Sequence, residues 1–173
     1  MLIDIIKHST RFLALLLLQG LVLNNIELSD YINPFLYVLF ILSLPLYASK
    51  YLVLALSFVM GISIDIFSST LGMHTAACVF MGFLRPYILK ILEPRDGYEN
   101  NFSVNIADMG MKWYAIYVVI MVFTHHLFLF YVESFSFSQF FSTFGRALVS
   151  TIFTLLLISI TQLFYYKPSK KRR

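Results

Sequence analysis

Residues 51–92 read YLVLALSFVMGISIDIFSSTLGMHTAACVFMGFLRPYILKIL. Two apolar runs, Tyr51 to Phe67 and Gly72 to Leu92, are parted by only a few small or polar residues. So short a link makes the runs antiparallel neighbours. On the first, Ser57, Gly61, Asp65 and Ser68 recur at steps of four, four and three, which keeps them on one helical face. The second repeats the steps with His74, Cys78, Gly82 and Arg85. Small residues at this spacing let helix backbones approach closely, so a tightly packed hairpin is expected.

The remaining chain has the same apolar character. Of its 173 residues 59% are hydrophobic and 13% charged, with a mean hydropathy of +0.78. Soluble chains average about 45–50% apolar and about 25% charged, so an integral membrane protein is expected. Apolar stretches at about 12–25, 34–48, 51–68, 72–92, 113–133 and 139–166 predict a compact all-α bundle of six transmembrane helices. Taken as one helix, residues 34–67 would be ~51 Å long, far beyond a membrane core, so Lys50 is read as marking a turn.

Basic residues accumulate on the cytoplasmic side of membranes. With both termini cytoplasmic, 12 of the 13 fall inside: Lys7, Arg11, Lys50, Arg85, Lys90, Arg95, Lys112 and the five of the tail 167–173. The expected external loops carry Glu27, Asp30 and Glu133 instead. Trp113, Tyr114, Tyr47, Tyr51, Tyr165 and Tyr166 sit at the expected interfaces, and Phe135, Phe137, Phe140, Phe141 and Phe144 form an outer aromatic cluster facing lipid or a partner. The segment 93–112 is expected as a cytoplasmic loop too small for a catalytic domain. Its Asn101-Phe102-Ser103 sequon would then be out of reach of glycosylation.

Ionisable groups inside a membrane are costly and deserve individual readings. Asp65 and Arg146 lie at similar expected depths, so Asp65 is expected to pair with Arg146 or His74, holding the third and sixth spans in register. Arg85 is too deep to reach it. Ser142, Arg146, Ser150 and Thr154 make a third polar stripe, expected to face the interior. Pro86 frees a backbone carbonyl and is expected to kink the fourth span. Adjacent His125 and His126 point about 100° apart, so one is expected to face a helix and the other lipid or a partner. Cys78 is expected to serve packing.

Enzymatic constellations are missing from the sequence: there is no G-x-S-x-G, H-E-x-x-H, P-loop or G-x-G-x-x-G. With one Cys the chain offers no multi-cysteine metal site. No enzyme activity, cofactor, metal or nucleic-acid partner is expected. The basic tail suits anionic membrane lipids.

The stretch Gly61-Ile-Ser-Ile-Asp65 through Gly72-Met-His74 resembles the signature of the bacterial rod shape-determining MreD family, G-x-x-x-D followed by a short turn and G-x-H. Phe83-Leu84-Arg85-Pro86 is similar to its continuation in some members. The resemblance implies a non-enzymatic inner-membrane scaffold of the cell-elongation complex. Its implied partners are the periplasmic scaffold MreC and, indirectly, the actin-like MreB and the peptidoglycan glycosyltransferase and transpeptidase. Gly61, Asp65, Gly72, His74, Arg85 and Arg146 are the structural or partner-related candidates. The alternative is the substrate-binding membrane subunit of a vitamin-type transporter, with a pocket near Asp65, His74 and Arg146. Its bulky, leucine-rich first span disfavours that alternative.

Overall fold

The computed structural model describes residues 2–26, 31–99, 102–135 and 139–165. Glu27, Asp30, Asn101, Phe137, Tyr166 and the basic tail 167–173 lie outside them. Among the described residues every regular element is helical. Helix α1, Leu2–Leu17, passes into a π turn, Leu18–Val22, and a 3-10 turn, Leu23–Asn25. It begins well before the expected start at residue 12. Then come α2, Val38–Leu42; α3, Lys50–Ser68; α4, Met73–Ile91; α5, Ile106–Met109; α6, Met111–Ser134; and α7, Phe140–Tyr165.

Among the described residues four helices are long and apolar enough to cross a membrane: Asp4–Asn25, Lys50–Ser68, Met111–Ser134 and Phe140–Gln162. Helix α4 matches α3 in length at 19 residues but carries Arg85 and Lys90. It packs between α3 and α6, and α7 packs on α6. The hairpin is as close as its small residues promised. A Cβ at Gly61 would come within 2.9 Å of the His74 carbonyl oxygen and the Thr75 nitrogen, and one at Gly82 would strike Ser57. These two contacts also establish that α3 and α4 run antiparallel. Pro86 lies within α4, which runs as one helix from Met73 to Ile91.

The stretch 34–48 differs most from expectation. It is not one helix: only Val38–Leu42 is helical, and turns or extended backbone flank it. Yet Phe35 to Leu42 and Leu44 are all buried. Pro34 supplies no N–H, and Pro45, three residues past the end of α2, has none to continue it. Apolar composition identifies a segment that is shielded from water; it does not require that segment to be helical.

The segment 93–112 contains α5, capped by the Asn105 side chain accepting from the Asp108 N–H at 2.8 Å. Tyr98 donates to the Leu89 carbonyl at 2.6 Å, and Trp113 donates through Nε1 to the Leu92 carbonyl at 2.7 Å. Burial pushes the Tyr98 phenol up to about 12, so this tie keeps its proton across the physiological range.

Candidate functional site

The three polar stripes turn inward over most of their length: Ser57, Gly61 and Asp65, then His74, Cys78, Gly82 and Arg85, then Ser150 and Thr154, are buried, whereas Ser68 and Arg146 are partly exposed. Ser142, at the outer end of the third stripe, is exposed. Where these residues find their partners is less simple.

Asp65 does not meet Arg146, nor the imidazole of His74. Its Oδ1 accepts from the Thr70 hydroxyl and the His74 backbone N–H at 3.0 Å, and its Oδ2 accepts from the Thr75 hydroxyl and N–H at 2.9 Å. The reason is at the start of α4, where Gly72 occupies the N-cap position with φ +84° and has no side chain to cap the helix. The first turn of any helix exposes unmet N–H groups. Asp65 meets two of them from the preceding helix, where its negative charge also complements the positive end of the α4 dipole. The signature thus has a local physical account. Gly61 admits the α4 backbone, Gly72 turns the chain in left-handed geometry, Asp65 caps the new helix, and His74 offers its amide to that cap.

Arg146 is part of a different, more exposed contact. Its Nη1 lies 3.1 Å from Glu133 Oε1, with the two side chains 27% and 40% exposed, and its guanidinium sits 4.3 Å over the Phe130 ring. It ties α7 to the end of α6. Nearby, Phe140 and Phe144 stack at 6.4 Å, while Phe135 and Phe141 are strongly exposed, consistent with an outer aromatic surface.

Arg85 is 1% exposed, and among the described residues no carboxylate lies at ion-pair distance from it. It serves the broken segment. Its Nη2 donates to the Leu44 carbonyl at 2.5 Å, its Nη1 to the Pro45 carbonyl at 3.4 Å and its Nε to the Tyr117 hydroxyl at 3.1 Å. Tyr117 in turn donates to the Leu42 carbonyl at 3.2 Å. The carbonyls left over where α2 ends are therefore met by one guanidinium and one phenol. A planar fork with five donors suits several scattered acceptors.

The other end of the segment is held through consecutive residues. The Phe35 N–H donates to the Thr154 hydroxyl of α7 at 3.0 Å, and the Leu36 N–H to Gln19 Oε1 at 2.8 Å. Gln19 also donates to the Pro34 carbonyl at 3.1 Å and to Asn24 at 2.8 Å. The Tyr37 hydroxyl lies 2.8 Å from His74 Nδ1 of α4 and 3.1 Å from His125 Nε2 of α6. Three successive residues thus engage four helices. A buried non-helical backbone is tolerated only when its polar groups are met within the protein, and here side chains from other helices meet several of them.

His125 and His126 are both fully buried, which corrects the expectation that one faces outward. Their angular separation sends them to different internal partners. His126 Nδ1 lies 2.8 Å from the Val122 carbonyl, so that nitrogen carries the proton, and Nε2 lies 3.1 Å from the Thr154 hydroxyl. The rings of His74, His125 and His126 surround Phe35 with centroids 5.2, 6.3 and 5.3 Å away. No group of three His, Cys, Asp or Glu among the described residues is placed to hold a metal ion.

Reasoning from the sequence missed Gln19, Tyr37 and Tyr117 as partners, and it turned Thr154 inward without naming what it meets. Gln19 did carry a signal, being a lone amide inside a leucine run. Tyr37 and Tyr117 did not, because tyrosines are common in membrane spans for other reasons.

Two grooves open on the outer surface. One, of about 520 Å³, is lined by Phe80, Leu127, Phe128 and Tyr131 among others. The larger, of about 1010 Å³, runs along α3 and α4 past Phe58, Ile62, Val79 and Phe83 to Asp65, Thr70 and Thr75. They share Phe80 and Phe128, whose rings stack at 4.4 Å. Neither groove is lined by His74 or Arg146. Comparison of the chain with protein-family models, curated proteins and solved structures finds no match.

Proposed function

We propose that this protein is a non-enzymatic scaffold of the bacterial inner membrane, resembling MreD, that serves the cell-elongation complex and helps maintain rod shape. In this reading the chain crosses six times with both termini cytoplasmic. The second crossing is made by the broken segment around α2. The partners are the periplasmic scaffold MreC and, through it, the actin-like MreB and the peptidoglycan synthases.

One observation carries the reading: most interior polar groups are spent on one another and on the backbone, whereas the concave surface of α3, α4 and α6 is largely apolar and open. A polar ligand has few free groups to bind inside. A partner's transmembrane helix has an outer surface with room for its side chains, and such association proceeds by packing. The G-x-x-x-D and G-x-H signature supports the same reading.

The test is co-purification from mild detergent with the MreC-type scaffold, comparing the native chain with Ala76→Trp, which fills the larger groove. Retention of the partner by the native chain and its loss in the variant are expected. Recovery of the native chain alone under several gentle conditions would count against the scaffold.

A second reading, a small-molecule transporter subunit, draws on the larger groove reaching Asp65, Thr70 and Thr75. Asp65 already accepts four hydrogen bonds, which leaves it little capacity for a guest. Native mass spectrometry finding a stoichiometric polar metabolite on the purified chain would favour this second reading.

A further inference from the structure

We propose that the His74, Tyr37 and His125 triple is an acid-sensitive clasp that holds the broken segment in the bundle only while both rings are uncharged. The inference does not depend on the scaffold reading.

The argument is a proton count. The Tyr37 hydroxyl has one proton and two imidazole neighbours, with the weaker Cys78 thiol also beside it, so in the strongest arrangement it donates to one ring and accepts from the other. His125 Nδ1 is buried without a partner. A bare nitrogen is better tolerated there than an unmet N–H. That selects one arrangement: His125 donates through Nε2 to Tyr37, and Tyr37 donates to His74 Nδ1. Both of these rings then carry their proton on Nε2, whereas His126 carries its proton on Nδ1.

An added proton has no good place. On His125 Nδ1 it creates a buried donor without an acceptor. On His74 Nδ1 it makes that ring a donor, so the Tyr37 proton turns toward His125 Nε2. His125 must then move its own proton to the orphan Nδ1, or else the hydroxyl proton is left to the Cys78 sulfur, a weak acceptor. Every protonated arrangement leaves a donor unmet or met only by the weakly accepting Cys78 sulfur, which is costly in a buried site.

The surroundings do not offset this. Among the described residues, the charged or titratable groups near the clasp are Asp65 on α3, Cys78 and His74 on α4, and His125 and His126 on α6. Arg85 and Tyr117 serve the opposite end of the segment. From the π turn after α1 and from α7 come only the uncharged Gln19, Ser150 and Thr154. Asp65 favours a cation at His74, but its oxygens bind the backbone N–H of that residue and not the ring.

Opening releases the rings from these constraints and lets them take protons, so acid favours the open form. The experiment uses the full chain in detergent micelles, moved from about pH 7.5 to about pH 5.5, a window in which ordinary carboxylates stay ionised. The melting temperature is expected to fall by about 5 °C, and hydrogen exchange at the Phe35 and Leu36 amides to accelerate after correction for intrinsic rates. His8→Gln, on the α1 end away from the clasp, should keep the effect, and His125→Phe should lose much of it. Nitrogen NMR of the histidines in the native chain reads the tautomers directly, whether or not the variant folds. Two fully protonated clasp rings at the lower pH, with melting and exchange unchanged, would overturn the proposal. Identical pH slopes in the native chain and His125→Phe would do the same.

Discussion

The α3–α4 hairpin and the broken segment around α2 solve the same problem in opposite ways. In the hairpin the helical backbone satisfies itself along nearly its whole length. Only the turn needs help, and one carboxylate, Asp65, provides it across the turn. In the segment the backbone satisfies itself only around α2 and in single turns, so Gln19, Arg85, Tyr117 and Thr154 are recruited from four other helices. A self-sufficient element leaves a local pattern in its own sequence. A dependent element leaves its requirements scattered over everyone else's.

The comparison breaks first at Arg85. Replacing it with Leu leaves the carbonyls of Leu44 and Pro45 unmet and frees Tyr117 from its clamp. Net of the relieved cation burial, a loss of about 3 kcal/mol is expected in reversible unfolding from detergent. A variant as stable as the native chain would mean that the segment needs no guest donors.

Gly61→Val tests the hairpin at its closest approach. The added Cβ meets α4 backbone, which cannot swing aside as a side chain can, and about 2–3 kcal/mol should be lost. Denaturation followed by a fluorophore pair across α3 and α4 separates local opening from global unfolding. Native stability in this variant would show that the two helices are free to move apart at little cost.

Asp65→Ala removes the cap and should cost about 1–2 kcal/mol, with faster amide exchange confined to the first turn of α4. If exchange instead rose along α7, the carboxylate would be fastening distant helices after all. The smallest effect belongs to Arg146→Ala. Its ion pair with Glu133 is partly exposed, so a change of about 0.5 kcal/mol is expected in the same unfolding assay. A loss several times larger would place Arg146 in the interior network with Arg85.

Much of the hairpin was legible beforehand. The inward stripes, the close approach at Gly61 and Gly82 and the pairing of α3 with α4 all follow from periodicity and a short link. The partner of Asp65 was not, because a search for opposite charge overlooks backbone N–H groups. Gly72 was the clue: a helix that starts on glycine has no cap of its own, so a cap has to come from elsewhere. The same habit of pairing charges misassigned Arg146, and it offered no role for Arg85, whose acceptors are neutral carbonyls.

Taken alone, the sequence determined that the chain is apolar enough for membrane helices, where most of its long helices run, and which of their faces turn inward. Those properties follow from composition and from a 3.6-residue period, both local to each helix. Only the tertiary structure decided that residues 31–49 stay largely unwound and that Phe35, Leu36 and Tyr37 bind four different helices. It also decided that both His125 and His126 lie inside. Such outcomes depend on which donor from a distant helix reaches which carbonyl or amide, and in a medium without water each unmet group is costly enough to decide the fold.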